Sequence, residues 1–241
     1  MPVKISAMIF AAGLGTRLYP LTADKPKALV EINGQTLLEI TIGKLIQYNV
    51  KDIVVNVHHF SSQIVDFLNN HHFEANILIS DESRQLLDTA GGLKFAESLF
   101  FGSDHILLHN VDIVSSINLK SFINHHLSTN ALATLAVKER STSRYFIFDR
   151  PSMQLCGWKN SKENTLLTVK ETPNPIELAF SGIHIVKKEL LNFISSTEKK
   201  SLTPLYLELA ENQSILGYLH QKDSWMDVGR YEDYLKIGKQ L

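Results

Sequence analysis

Cysteine is nearly absent: Cys156 is the one thiol in 241 residues. A single sulfur makes no internal disulfide and supplies no cysteine-rich zinc site, so the chain is read as made for a reducing compartment, the cytoplasm. Long apolar runs are missing as well. No stretch approaches the ~18 apolar residues of a membrane helix, and no membrane partner is expected. The opening M-P-V-K-I-S-A-M-I-F-A-A-G sets a short apolar run after one lysine and then meets glycines and an arginine, a poor fit to a signal peptide. Neither sign of charge is in excess: 24 Lys plus Arg face 25 Asp plus Glu, a formal charge of -1. That balance excludes a nucleic-acid binder coated in positive charge, and any anionic ligand must meet cations gathered locally. Linkers, repeats and low-complexity tracts are also lacking, so residues 1–241 are read as one domain.

Through the first half, short β-rich runs alternate with helical patterns: V-K-I-S-A-M-I-F, D-I-V-V-N-V, A-N-I-L-I-S and H-I-L-L-H-N-V-D, with amphipathic segments between them. Such alternation predicts βαβ units and a parallel sheet covered on both faces, to about residue 130. Beyond A-L-A-T-L-A-V the strands become shorter and turn residues separate them, which predicts a mixed-sheet extension with a hairpin. Helical patterns follow near 187–195 and 203–211, then the strand S-I-L-G-Y-L, the segment S-W-M-D-V-G and a last helix from about Tyr231. The expected fold is therefore α/β, a Rossmann-like doubly wound mixed sheet. Residues 1–130 form its first half and 131–241 its second half.

Directly after the first strand comes A-A-G-L-G-T-R-L-Y-P-L-T-A-D-K-P-K, residues 11–27. Glycines at a strand's carboxyl end let backbone N–H groups approach a ligand, and open α/β sheets bind ligands at that edge. Leu18 occupies the third glycine position of G-x-G-x-x-G, and the spacing is not that of Walker A, so neither common phosphate motif applies. Arg17, Lys25 and Lys27 face only Asp24 between residues 16 and 27, a local surplus of positive charge suited to a triphosphate.

G-L-G-T-R-L followed by P-K-A-L-V resembles the signature of the sugar-1-phosphate nucleotidyltransferases, G-x-G-T-R with a lysine ten residues after the arginine. Later landmarks of that family recur in order: L-D-T-A-G-G at 87–92, N-V-D at 110–112, F-S-G at 180–182 and W-M-D-V-G at 225–229. The resemblance implies a nucleotide-diphospho-sugar transferase (GT-A-like) fold without a C-terminal β-helix. It also implies a reaction in which a phosphate oxygen of a sugar 1-phosphate attacks the α-phosphorus of a nucleoside triphosphate and pyrophosphate leaves. Both reactants are anions, so positioning and charge neutralisation are the main tasks of the protein.

By resemblance, Ala12, Gly13, Gly15, Thr16, Arg17 and Lys27 hold the triphosphate, with Arg17 and Lys27 also acting at the transition state. Asp112, with a catalytic role, and Asp227 hold Mg²⁺, an ion that takes one or two carboxylates plus phosphate oxygens. Nothing local pairs two aspartates 115 residues apart in sequence; only the resemblance unites them. Many family members have glycine before the first of these, where this chain has Val111, a residue that restricts the backbone. Asn110, Lys170, Glu171, Ser181 and Gly182 are the candidates for the sugar phosphate, Lys170 for its phosphate and Glu171 for a hydroxyl.

Thr89 and Gly91 fall in the base-reading segment. Thymidylyltransferases often carry glutamine at the place of Gly91, so that specificity is not copied. The short chain resembles uridylyltransferases acting on N-acetylmuramate 1-phosphate and shares much with mannose-1-phosphate guanylyltransferases, with UTP favoured. A choline-phosphate cytidylyltransferase and a regulatory nucleotide-binding homologue without turnover are the alternatives. The ten histidines, several in adjacent pairs, lack H-E-x-x-H and cysteine companions, and are read as surface or capping residues. Trp225 is read as a packing residue that helps seat Asp227.

Overall fold

In the computed structural model, which describes residues 3–195 and 199–237, the chain alternates strands and helices as the apolar periodicity requires. The first two and last four residues of the domain assigned to 1–241 lie outside the described residues. In chain order the first half gives β1 (Ile5–Phe10), a small ribbon of β2 (Glu31–Ile32) and β3 (Gln35–Thr36), α1 (Leu37–Gln47), β4 (Asp52–Val57) and α2 (Ser61–Asn70). It continues with β5 (Asn76–Asp81), α3 (Asp88–Phe95), β6 (His105–Asn110), β7 (Ile113–Ser115) and α4 (Leu119–Thr129). The second half gives β8 (Ala133–Lys138), β9 (Arg144–Asp149), β10 (Leu155–Asn160), β11 (Thr165–Thr168) and β12 (Pro175–Lys187). It ends with α5 (Leu202–Ala210), β13 (Ile215–Leu219), β14 (Trp225–Asp227) and α6 (Tyr231–Ile237).

β6, β1, β4 and β5 run parallel, the two outer pairs meeting through β1 and β4, and β12 joins β6 antiparallel. β12 is long enough to pair with β9 by its first residues and with β6 and β8 by its last, so one sheet crosses residue 130 without a break. The expected hairpin is β10–β11, on the far side of β9. Strand side chains alternate between faces, so Ala7, Ile9 and Leu107 enter one core with Leu38, Ile42 and Phe122, while Met8, Ile106 and Leu108 enter the other with Leu93, Leu205 and Tyr206. Both faces of the parallel strands are therefore buried, which is why their sequences read as nearly continuous apolar runs.

Local chemistry fixes the helix starts. At α1, Glu39 N–H donates to Thr36 Oγ1 and Thr36 N–H donates to Glu39 Oε2, a reciprocal cap. Asn118 caps α4 by accepting from Ser121 N–H at 3.0 Å. The helical pattern expected over 187–195 is instead a 3₁₀ segment, Lys188–Phe193. Its apolar residues Leu190, Leu191 and Ile194 dock on the core within one short connection, leaving no length for an α-helix.

One histidine pair departs from its surface reading. His126 is buried, hydrogen-bonded between His105 and Thr134. His109, His184 and His220 are buried too. No helix among the described residues is long and apolar enough to cross a membrane.

Candidate active site

The carboxyl ends of β1, β4 and β6 open into a cleft of about 480 Å³, walled by the loop after β1, by Asn56, Glu82 and Thr89, and by Asn110 and Asp112. Of the residues singled out in the sequence, it gathers Ala12, Gly13, Gly15, Thr16, Arg17, Lys27, Thr89, Asn110 and Asp112. Gly15 has φ +67, and a Cβ there would stand 3.1 Å from Thr22 and 3.3 Å from Lys27, so only glycine lets the loop turn this tightly. Lys25 is exposed and lies outside the cleft, whereas Lys27 is 9% exposed and its ammonium is paired with the Asp112 carboxylate.

Asp227 arrives beside Asp112 through a ribbon the sequence did not announce. β14 pairs antiparallel with β7 in the register Asp227↔Ile113, and Val228 N–H donates to Asp112 O at 2.8 Å. Behind the ribbon, Lys44 donates from Nζ to both the carbonyl and the hydroxyl of Ser115, each at 2.7 Å. Burial pushes that ammonium down to about 8, against the opposing Asp223.

Gly229 marks the centre. A Cβ placed on it would stand 2.5 Å from Asp227 Oδ1 and 3.3 Å from both Arg17 Nη2 and Asp112 Oδ2. Two carboxylates and one guanidinium thus border a single point, with Lys27 on the second carboxylate. Burial raises the pKa of Asp227, the Asp112 charge adds to the rise, and Lys27, the Gly229 N–H and Arg17 pull it back. A cation between the carboxylates would relieve that repulsion. The donors at that point are hard carboxylate oxygens, a chemistry that fits Mg²⁺ completed by phosphate and water oxygens. Val111, the departure from glycine, is not among the positive-φ residues and packs in the core at 4% exposure, so the valine sits there without left-handed backbone strain.

Sequence reasoning missed a buried relay that shapes the cleft. Asn56 Oδ1 accepts from Ala11 N–H at 2.7 Å and Ala12 N–H at 3.3 Å, Asn56 Nδ2 donates to Glu82 Oε1 at 2.8 Å, and Glu82 Oε2 accepts from Leu87 N–H at 3.3 Å. The relay ties the glycine-rich loop after β1 to the loop that precedes α3. Burial raises the Glu82 pKa although both hydrogen bonds oppose the rise. Its available signal was a polar residue interrupting the apolar run D-I-V-V-N-V. A Cβ on Gly92 would stand 2.5 Å from Glu82 Oε1 and 3.3 Å from Asn56 Nδ2. Gly92→Ala is therefore expected to destabilise the fold by about 1–3 kcal/mol and to raise the nucleotide KM, checked by thermal melts and steady-state kinetics.

Other candidates lie elsewhere. The amides of Ala90 and Gly91 donate to Lys200 O, so the α3 N-terminus is closed from within the chain, and Thr89 Oγ1 accepts from Leu202 N–H. Lys199, from that same closing segment, lines the cleft. Gly182 has φ +73, and a Cβ there would stand 3.1 Å from Asn110 Nδ2, so it sits against the cleft wall. Ser181 is fully buried, its hydroxyl hydrogen-bonded with His220 and its carbonyl accepting from Trp225 Nε1. Lys170 and Glu171 follow β11 and line neither this cleft nor its neighbour. That neighbour is a polar cavity of about 850 Å³ between 140–163 and 225–233, which shares Arg17 with the cleft and has Asp227 on its wall. Cys156 is buried, and burial raises its thiol pKa, so it is no nucleophile.

The chain resembles known proteins along nearly its whole length. N-acetylmuramate alpha-1-phosphate uridylyltransferase of Caulobacter vibrioides is 31% identical over 92% of this chain and 91% of its own length. UTP–glucose-1-phosphate uridylyltransferase of Synechocystis is 27% identical over 95% of the chain. The chain spans 61% of that protein, and 63% of a Sulfolobus acidocaldarius protein named for mannose-1-phosphate guanyltransferase activity. Among solved structures, HddC from Yersinia pseudotuberculosis complexed with GMP-PN superposes with a TM-score of 0.77 at 20% identity, covering 98% of both chains, a likeness of fold. The nucleotidyl transferase family profile matches residues 6–241, the whole of the site included, and the chain belongs to that family.

Proposed function

We propose that the protein joins a nucleoside triphosphate, UTP favoured, to a sugar 1-phosphate, releasing pyrophosphate and a nucleotide-diphospho-sugar in the cytoplasm. One observation carries the reading: Arg17, Asp112 and Asp227 converge on Gly229 where two cavities share a wall. In-line transfer requires one anion on each side of such a point. The triphosphate occupies the cleft, along the loop of Ala12, Gly13, Gly15 and Thr16, with the base toward Thr89, at the start of the segment that carries Gly91. The sugar 1-phosphate occupies the polar cavity, its ring toward Asn110 and Gly182, so the second half of the chain, 131–241, is the sugar-phosphate half.

Arg17 takes charge that develops on the transferred phosphorus, and Lys27 exchanges part of its hold on Asp112 for phosphate oxygen. Mg²⁺, held by Asp112 and Asp227, would neutralise phosphate oxygens when bound. The two facing hard carboxylates support that ion. Pyrophosphate release across the four nucleotides, paired with glucose, mannose, N-acetylglucosamine and N-acetylmuramate 1-phosphates and with phosphocholine, tests the proposal. Release that requires a sugar 1-phosphate, greatest with UTP, is expected. Turnover confined to CTP with phosphocholine makes it a choline-phosphate cytidylyltransferase, and nucleotide binding with silence in every pair makes it a regulatory homologue.

A further inference from the structure

The proposed reaction needs a hold on the phosphate of the second substrate, and Lys170, which the motif suggested for it, lines neither cavity. The polar cavity carries another cation in a built setting. Arg140, two residues after β8, donates from Nη2 to Phe180 O at 2.8 Å, and its Cζ lies 4.0 Å from the centroid of the Trp225 ring. The indole is itself fixed, because Trp225 Nε1 donates to Ser181 O at 2.8 Å and its strand pairs with β7. Trp225 stands two residues before Asp227, so the guanidinium is fastened to the same short strand as a proposed metal ligand.

The remaining capacity of Arg140 is unspent. Its Nε is buried without a hydrogen-bond partner, and among the described residues it makes no ion pair. Burial lowers its pKa from the ordinary arginine value, with the Asp227 charge opposing. Arginine nevertheless stays protonated, so the fold holds a permanent, partly desolvated cation with donors to spare. A fork of that kind, held over an aromatic face, matches the oxygens of a phosphate two at a time. Arg144, Lys162 and Arg230 line the same cavity but are exposed.

We propose that Arg140 is the anion anchor for the second substrate, its guanidinium holding the phosphate oxygens of the sugar 1-phosphate on Trp225 and presenting them beside Asp227. This rests on the nucleotidyltransferase reading above. Arg140→Gln is expected to raise the KM for the best sugar 1-phosphate roughly 10- to 100-fold while the KM for the nucleotide stays within about twofold. Arg140→Lys, which keeps the charge and loses the planar fork, is expected to fall between the two. An equal rise in both KM values, or a larger effect on the sugar KM from Lys170→Ala, overturns the proposal.

A binding measurement stands apart from turnover. In a Trp158→Phe background, inorganic phosphate and glucose 1-phosphate are expected to change the fluorescence of Trp225 saturably, and Arg140→Lys to weaken both titrations. Unchanged titrations in that variant overturn the anchor. Silence of the unaltered protein throughout the nucleotide and sugar grid overturns the reaction instead, and the phosphate titration then still decides the role of Arg140.

Discussion

Asp112→Asn is expected to lower kcat by about 10³-fold, a barrier rise of roughly 4 kcal/mol, while leaving the melting temperature nearly where it was. The two halves of that expectation have separate causes. Asp112 borders the point shared with Asp227 and Arg17, and its carboxylate is the partner of Lys27. Asparagine keeps the shape and one acceptor oxygen, so Lys27 retains a hydrogen bond, but a metal held between two carboxylates loses one of its two charges. The fold sees opposed terms. Losing the Lys27 charge partner destabilises, since a mostly buried cation is left less compensated, whereas removing the like charge beside Asp227 stabilises. Each is on the order of 1–3 kcal/mol, so they largely cancel, and the loss of activity cannot be charged to unfolding. The Mg²⁺ concentration for half-maximal activity should rise in parallel. A variant that turns over within tenfold of the parent, with an unchanged Mg²⁺ requirement, removes Asp112 from the centre of the site.

What the sequence disclosed depended on whether a residue acts through local spacing or through a distant partner. The parallel strands were legible because burial on both faces writes a continuous apolar run, and the phosphate loop because its glycines and cations sit within 17 residues of one another. Asp112 was visible as the polar end of such a run. Its meeting with Asp227 was implied by the resemblance alone and not by any local spacing, because it is set by the register of β14 on β7, and that register is settled only when both strands are in place. Asn56 and Glu82 were overlooked for the same reason: each is one polar residue near a strand end, and their meaning is the contact between them. Lys170 was suggested by a loose motif, and the β10–β11 hairpin leads its loop elsewhere. Arg140 had no motif at all; it is singled out by Trp225, 85 residues later, lying under its guanidinium.

Acid is expected to begin unfolding the protein below about pH 6.5, because buried imidazoles oppose protonation. Burial is the leading cause in each case: it pushes His109 and His220 down to about 4, and His126 and His184 down to about 3, from 6.5. The four side chains are spent as neutral partners, His109 on Asn110 O, His126 between His105 and Thr134, His184 on Tyr206 and His220 on Ser181. A base whose pKa is depressed in the folded state stabilises fully above its unfolded pKa. That contribution is lost as pH falls, since the unfolded chain binds protons near 6.5 that the native chain refuses until about 4 or 3. Each histidine gives up to about 1.4 kcal/mol per pH unit, so four approach 5 kcal/mol per unit, against a typical total of about 5–15 kcal/mol. Glu82 and Asp227 act in the opposite sense, because their raised pKa values let the native state take protons first, but they are two groups set against four. Between pH 6.5 and 5 the histidines therefore win. Melting temperatures measured from pH 8 to 4.5 should be level above about 7 and fall steeply below 6.5, with His126→Gln or His184→Gln flattening the slope by about one proton in four. A level profile down to pH 5 would mean that the imidazoles reach water or a counter-charge in the native state, and that burial does not hold them neutral.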